Sequence, residues 1–303
     1  MTPAPIRVNA TANGISLDQP ALTAALAALP PGAPVVVMIH GYRFSPAASD
    51  HNCPHGHIFS LEPPQGDRKA ISWPRHLGLD GQNGLAVGFG WPARGNLLCA
   101  VRLARRIGKR LADFVRLVGQ IDPGRPIDVI CHSLGARVAL SALPHVPAGL
   151  FRRFILLAGA ETRRPARAAM ASPAGRSVEV FNITSRENDV FDLALELAHS
   201  CGLDNAIGFG LGRDLPNWLD LQIDQTATLT ALGCLGHALP PALGRICHWS
   251  PYLRPGTFPL YRALIDARLS MAELRAHLPD RPDRRWSRLL SRSQAAWFSG
   301  LPA

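Results

Sequence analysis

From residue 34 to residue 199 the chain alternates short apolar runs with stretches of helical periodicity. That alternation admits few folds: it predicts an α/β architecture, a mostly parallel sheet with helices on both faces. The runs at 35–39, 85–91, 127–131, 154–158 and 178–183 are continuously apolar or nearly so. Strands buried on both faces need that pattern, whereas a strand with one wet face would alternate. Helices are predicted over 96–119, from 134 to about 143 and from 190 through 199, with a last packing helix over 260–269. Two irregular stretches interrupt the order. Residues 44–84, rich in Pro, Gly, His and Asp, are expected to form a lid loop, and 202–247 a cap segment. The whole of 1–303 is expected to be one domain ending in an Arg-rich tail over 281–303.

Composition narrows the function classes. A chain of 303 residues with 47% hydrophobic and 18% charged residues can bury roughly 75% of its unfolded surface. Such a core needs no disulfide or metal staple, so Cys and His clusters must be explained by chemistry. The six cysteines never fall in C-x-x-C spacing, which predicts reduced, mostly buried thiols. The net charge of +10 is almost all arginine, because Lys69 and Lys109 are the only lysines. Gly108-Lys109-Arg110 lacks the Ser or Thr of a phosphate-binding P-loop. No apolar run reaches the ~18 residues of a membrane span, and the first residues lack the basic and apolar regions of a secretory signal. A cytoplasmic location is the expectation.

The most informative stretch is Asp128-Val-Ile-Cys-His-Ser-Leu-Gly-Ala-Arg137. A strand runs into Ser133 and straight on into a helix, a C-x-S-x-G version of the G-x-S-x-G nucleophile elbow. Residues two before and two after the serine must be small where strand and helix approach, and Cys131 and Gly135 meet that need. The plain alternative is a serine capping the helix that starts at Leu134. An acyl-transfer oxyanion needs two backbone donors. The Leu134 N–H is one, and the loop after an earlier strand should supply the other. His40-Gly41-Tyr42-Arg43 follows the 35–39 run in the expected place, with Gly41 letting the backbone turn and Tyr42 N–H as the donor. His40 is expected to hold the loop by hydrogen bonds, and His132 to shape the elbow.

The general base should come last in chain order, after an acid beyond the strand that follows the elbow helix. Asp189, just past the 178–183 run, is the candidate acid, with a helix N-cap as its alternative role and Asp192 and Glu187 as fallbacks. Of the downstream histidines, His199 and His277 fall in helical patterns. His248 lies in a turn-rich loop before the last packing helix and is the candidate base, with His237 as the alternative.

These residues resemble the α/β-hydrolase superfamily over about 34–269. The HGY strand end, Gly90-Trp91-Pro92-Ala93-Arg94-Gly95, the His-Ser-Leu-Gly elbow and Asn182-Ile-Thr-Ser with a following Asp look like a little-characterised group of serine hydrolases within it. The resemblance implies a serine esterase or lipase-like enzyme: Ser133 nucleophile, His248 base, Asp189 acid, Tyr42 and Leu134 oxyanion donors, a small-molecule ester or acyl substrate and no cofactor. A non-catalytic scaffold binding a small molecule or partner protein through the same pocket is the rival expectation. Trp91 is expected to pack the rim of the site.

Two further features weigh less. His51, Cys53, His55 and His57 alternate like metal ligands, but no second ligand pair follows, so no metal is expected. Arg102, Arg105, Arg106, Lys109 and Arg110 form a basic stripe opposite Leu98, Val101, Ile107, Leu111 and Phe114. A solvated helix face is the expected reading, with anionic membrane contact second and no specific nucleic acid.

Overall fold

Five consecutive apolar residues lie at the middle of the sheet. In the computed structural model, which describes residues 3–242 and 244–290, β3 (Val35–Ile39) is fully buried. Val35, Val37 and Ile39 enter one core, and Val36 and Met38 enter a second core on the other face. A strand flanked by two cores needs an apolar residue at every position, which is why this run is continuous.

β3 belongs to an eight-stranded sheet of order β2-β1-β4-β3-β5-β6-β7-β8. The other strands are β1 (Ile6–Ala10), β2 (Ile15–Leu17), β4 (Leu85–Gly90), β5 (Ile127–His132), β6 (Phe151–Leu157), β7 (Glu179–Thr184) and β8 (Trp218–Gln222). Only the β1–β2 pair is antiparallel. The architecture is the predicted α/β class, a mostly parallel sheet flanked by helices, consistent with an α/β-hydrolase-like fold.

The helices in chain order are α1 (Gln19–Ala28), α2 (Trp73–His76), α3 (Leu97–Ile121), α4 (Leu134–Ala142), α5 (Arg163–Met170), α6 (Pro173–Ser177), α7 (Asp189–Ser200), α8 (Thr226–Cys234), α9 (Ser250–Leu253), α10 (Thr257–Ile265), α11 (Met271–His277) and α12 (Ser287–Leu290). The long α3 is amphipathic. Asn96 caps it by accepting from Leu98 N at 2.8 Å and Cys99 N at 3.3 Å, Ile107, Leu111 and Phe114 face the core, and Arg102, Arg105, Arg106 and Lys109 are exposed. Leu98, predicted on the apolar side, is 42% exposed. Among the described residues no helix is long and apolar enough to cross a membrane.

The structure differs from the expectations at the two irregular segments and at the 260–269 helix. Residues 202–247 do not form a separate cap over the site: they supply β8 to the sheet edge and then α8. Short β8 escaped notice because its sequence, Trp-Leu-Asp-Leu-Gln, carries an exposed Asp220 side in place of a continuous apolar run. Residues 44–84 bury Ile58, Phe59, Trp73, Leu77 and Leu79 in the second core, so much of the segment packs on the sheet, while Phe44 lines the site cavity and Lys69 lies over the ring of Trp249, which also lines it. Helix α10 is followed by α11 and α12, so it is not the last packing element. The thiols are all free, as expected, but only Cys131 is buried, while Cys99, Cys201 and Cys234 are exposed. Of the Arg-rich tail, residues 281–290 are described and 291–303, including Arg292, lie outside the described residues.

Candidate active site

In the strand order, β4 lies on one side of β3 and β5 on the other. The loops leaving the carboxyl ends of β3 and β5 therefore diverge and open a crevice at the topological switch point, where open α/β sheets bind ligands. Ile39 pairs with Cys131, so the next residues along, His40-Gly41 and His132-Ser133, face each other across that crevice. A Cβ on Gly41 would stand 2.7 Å from Ser133 Cβ, and one on Gly135 would stand 2.7 Å from Ile39 O and 3.0 Å from His40 O. Both positions need glycine because backbone approaches backbone there.

Ser133 has φ 55° and ψ −123°, and its hydroxyl makes no capping bond to α4. The helix-cap alternative thus fails. A non-glycine residue in this region costs about 1–3 kcal/mol, and such strain concentrates at functional sites. The surroundings fix it: Ser133 N donates to Leu157 O at 3.0 Å, and Ser133 O accepts from Ala136 N at 3.0 Å and Ala160 N at 2.9 Å. Among the described residues, no acceptor pairs with the N–H of Leu134 or of Tyr42.

A cavity of about 300 Å³ opens over the serine, bounded by Tyr42, Phe44, Leu97, Phe191, Leu195 and Trp249, and Ser133, Leu134, His132 and His248 also line it. The sequence candidates Ser133, His248, Tyr42 and Leu134 therefore meet at one place. His237 is not among the lining residues. His199 lies at the far end of α7, and exposed His277 donates through Nδ1 to Glu273 O at 2.9 Å.

His248 is held from three sides. Its Nδ1–H donates to Asn188 Oδ1 at 2.6 Å, leaving Nε2 as the acceptor nitrogen. His132, through Nε2–H, donates to the His248 carbonyl at 2.9 Å, with the two rings 4.5 Å apart, and Phe191 stacks on the imidazole at 4.6 Å. Burial, then the neighbouring His132 and Lys69, push its pKa well below the ordinary histidine value. The ring is therefore neutral at neutral pH.

Asp189 is where the structure departs from the expected triad. Its Oδ2 accepts from Trp286 N at 2.6 Å and its Oδ1 lies 3.5 Å from Arg186 Nη1. It is the first residue of α7, not its N-cap, and it anchors the C-terminal segment. The Nδ1 partner is the preceding residue, Asn188, whose side-chain amide donates to Asp192 Oδ1 at 2.9 Å. The fallback carboxylate Asp192 thus reaches His248 through one intervening amide. Its pKa is raised to about 7, first by burial. Glu187, the other fallback, accepts from Ser250 Oγ at 2.6 Å and pairs with Arg254 at 2.8 Å. Those bonds, with Cys247 N to Glu187 O at 3.0 Å, tie down the loop that carries His248.

Sequence reasoning missed Asn188. The signal was its spacing: Asn188 and Asp192 are i, i+4 at the start of a helix and share a face, while Asp189 is turned about 100° away.

His40 and Trp91 are bonded to each other behind the loop that follows β3. His40 Nδ1–H donates to Gly41 O at 2.8 Å, and His40 Nε2 accepts from Trp91 N at 3.0 Å. The Trp91 indole N–H donates back to His40 O at 3.2 Å, and the rings stack 5.7 Å apart. Burial lowers the His40 pKa to about 3, so it is a neutral brace for the loop that follows β3. Trp91 is fully buried beneath that loop and does not pack the rim. In the histidine-rich tract, His55 bonds Asn9 at 2.7 Å and His57 bonds Asp67 at 2.9 Å. Among the described residues no three Cys, His, Asp or Glu side chains converge as a metal site would require. Compared with known proteins, the chain matches no family model and no curated protein sequence.

Proposed function

We propose that the protein is a serine hydrolase that cleaves a carboxylic ester, or a related acyl bond, through an acyl-enzyme on Ser133. The observation that carries this reading is the strained Ser133 backbone at the head of α4, beside two unpaired N–H groups and in one cavity with a tautomerically fixed His248. Ser133 Oγ attacks the acyl carbonyl while His248 Nε2 takes its proton. The carbonyl oxygen becomes an oxyanion facing the Tyr42 and Leu134 N–H groups, each such donor contributing roughly 10²–10³ in rate. His248 then returns the proton to the departing alcohol, and water, deprotonated by the same nitrogen, releases the acid. Asn188 keeps the Nδ1–H tautomer throughout, the orienting role that a carboxylate fills in Ser-His-Asp sites. The largely apolar cavity walls suit an uncharged acyl group.

The second reading is a binding scaffold without catalysis, and the amide in place of a carboxylate at His248 Nδ1 is the observation that favours it. Hydrolysis of p-nitrophenyl butyrate separates the two. The enzyme reading predicts turnover by wild type and a loss of at least 10³ in kcat/KM for both Ser133→Ala and His248→Gln. Equal background rates in all three folded proteins would leave the scaffold.

A further inference from the structure

A second cavity, of about 850 Å³, lies apart from the one at Ser133. It lies between α3, α4, α5 and the far end of α7. We infer that this second cavity binds an anionic amphiphile, a carboxylate or phosphate headgroup on a short apolar body.

Charge carries the first half of the argument. Arg105, Lys109 and Arg164 line the cavity with two carboxylates, Glu161 and Asp204. Glu161 is already paired with the buried Arg137 of α4 at 2.6 Å. Asp204 Oδ2 accepts the Arg164 backbone N–H at 3.0 Å, closing the start of α5. Among the described residues, Arg105, Lys109 and Arg164 form no ion pair of their own. The guanidinium groups of Arg105 and Arg137 both donate to His199 Nε2, at 3.2 and 3.4 Å. That imidazole is neutral: burial first, then Arg137 and Arg105, hold its pKa at about 4. Two guanidinium groups thus converge on an uncharged acceptor, with more positive than negative charge around a concave surface. Thr162, a buried residue, also lines the cavity.

Shape and polarity carry the second half. Leu140, Pro144, Pro165, Ala168 and Ala169 give the cavity apolar walls, and Leu203 stands at its edge 90% exposed. The volume is within the ~300–1,000 Å³ range of small-molecule sites, larger than a bare inorganic ion requires.

Isothermal titration at fixed ionic strength tests the inference, with octanoate, octyl phosphate, octyl glucoside and inorganic phosphate as probes. The variant is Arg105→Gln/Lys109→Gln, two exposed positions, and circular dichroism checks that it keeps the wild-type fold. We expect octanoate or octyl phosphate to bind wild type at one site, the tighter of the two identifying the headgroup, and to bind the double variant at least tenfold more weakly. Octyl glucoside binding as tightly as the anions would overturn the proposal. So would anion binding unchanged in the double variant, which would place the ligand elsewhere, or inorganic phosphate matching octyl phosphate, which would leave no role for the apolar walls. None of these readouts depends on Ser133 chemistry, so the inference and the hydrolase reading fail separately.

Discussion

One residue of register separates Asp189 from Asn188, and with it two different roles. Asp189 pairs with Arg186 and Trp286 N, whereas Asn188 and Asp192 form the chain that ends on His248 Nδ1. Replacing Asp189 by Ala is therefore expected to cost about 1–3 kcal/mol in stability, since it leaves buried Arg186 short of a partner, yet to leave ester turnover within a few-fold. Asn188→Leu should do the reverse, lowering kcat roughly 10²–10⁴-fold by freeing the imidazole tautomer. Denaturant unfolding and kcat on both variants check the pair. Asp192 adds a pH signature. Its pKa of about 7 in the folded state exceeds the ordinary 3.8, so the unfolded chain ionises first and native stability is lost as pH rises from about 4 to 7. Asp192→Asn removes that loss. The variant should gain on the order of 3–4 kcal/mol over wild type at pH 8 relative to pH 4, and an equal difference at both pH values in urea unfolding would refute the assignment. Ser133, His248, Tyr42 and Leu134 were legible because each follows a recognisable strand end or elbow. Asn188 was missed because its i, i+4 spacing to Asp192 pairs the two residues but does not say that this pair, rather than the adjacent Asp189, faces the histidine.

At the scale of elements, the crevice exists because β3 and β5 are neighbours whose loops part, and two glycines let the loops approach. A methyl at residue 135 would meet the carbonyls of Ile39 and His40, atoms that cannot rotate away. Gly135→Ala should cost about 1–3 kcal/mol and lower the probe reactivity of Ser133 more than that stability loss explains, as read from thermal unfolding and labelling rate together. Wild-type values in both would mean that the elbow is not seated against β3. The central strands were legible because burial on both faces leaves a nearly continuous apolar run, unbroken in 35–39 and interrupted in 127–131 only by Asp128, which pairs with Arg152. The outer strands were not: β1 and the edge strand β2 mix polar residues into short segments, and β8 at the other edge exposes Asp220. The expected lid at 44–84 turned out to bury Phe59 and Trp73, which turn-rich composition concealed.

Across the whole molecule, the C-terminal segment is stitched back toward the site. Arg285 pairs with Glu196 at 2.9 Å and lies over Phe209, and Arg288 donates to Gly244 O at 3.1 Å, near the loop that carries His248. The positive charge so divides between arginines that fasten segments together and the exposed stripe of α3 that borders the second cavity. The central claim, however, concerns a single oxygen. Incubation of the folded protein with a fluorophosphonate, followed by intact mass, reads whether Ser133 is activated. The account predicts one phosphonyl adduct on wild type, lost in Ser133→Ala and strongly slowed in His248→Gln. A folded wild-type protein that stays unlabelled, or an adduct that persists in Ser133→Ala, would contradict it.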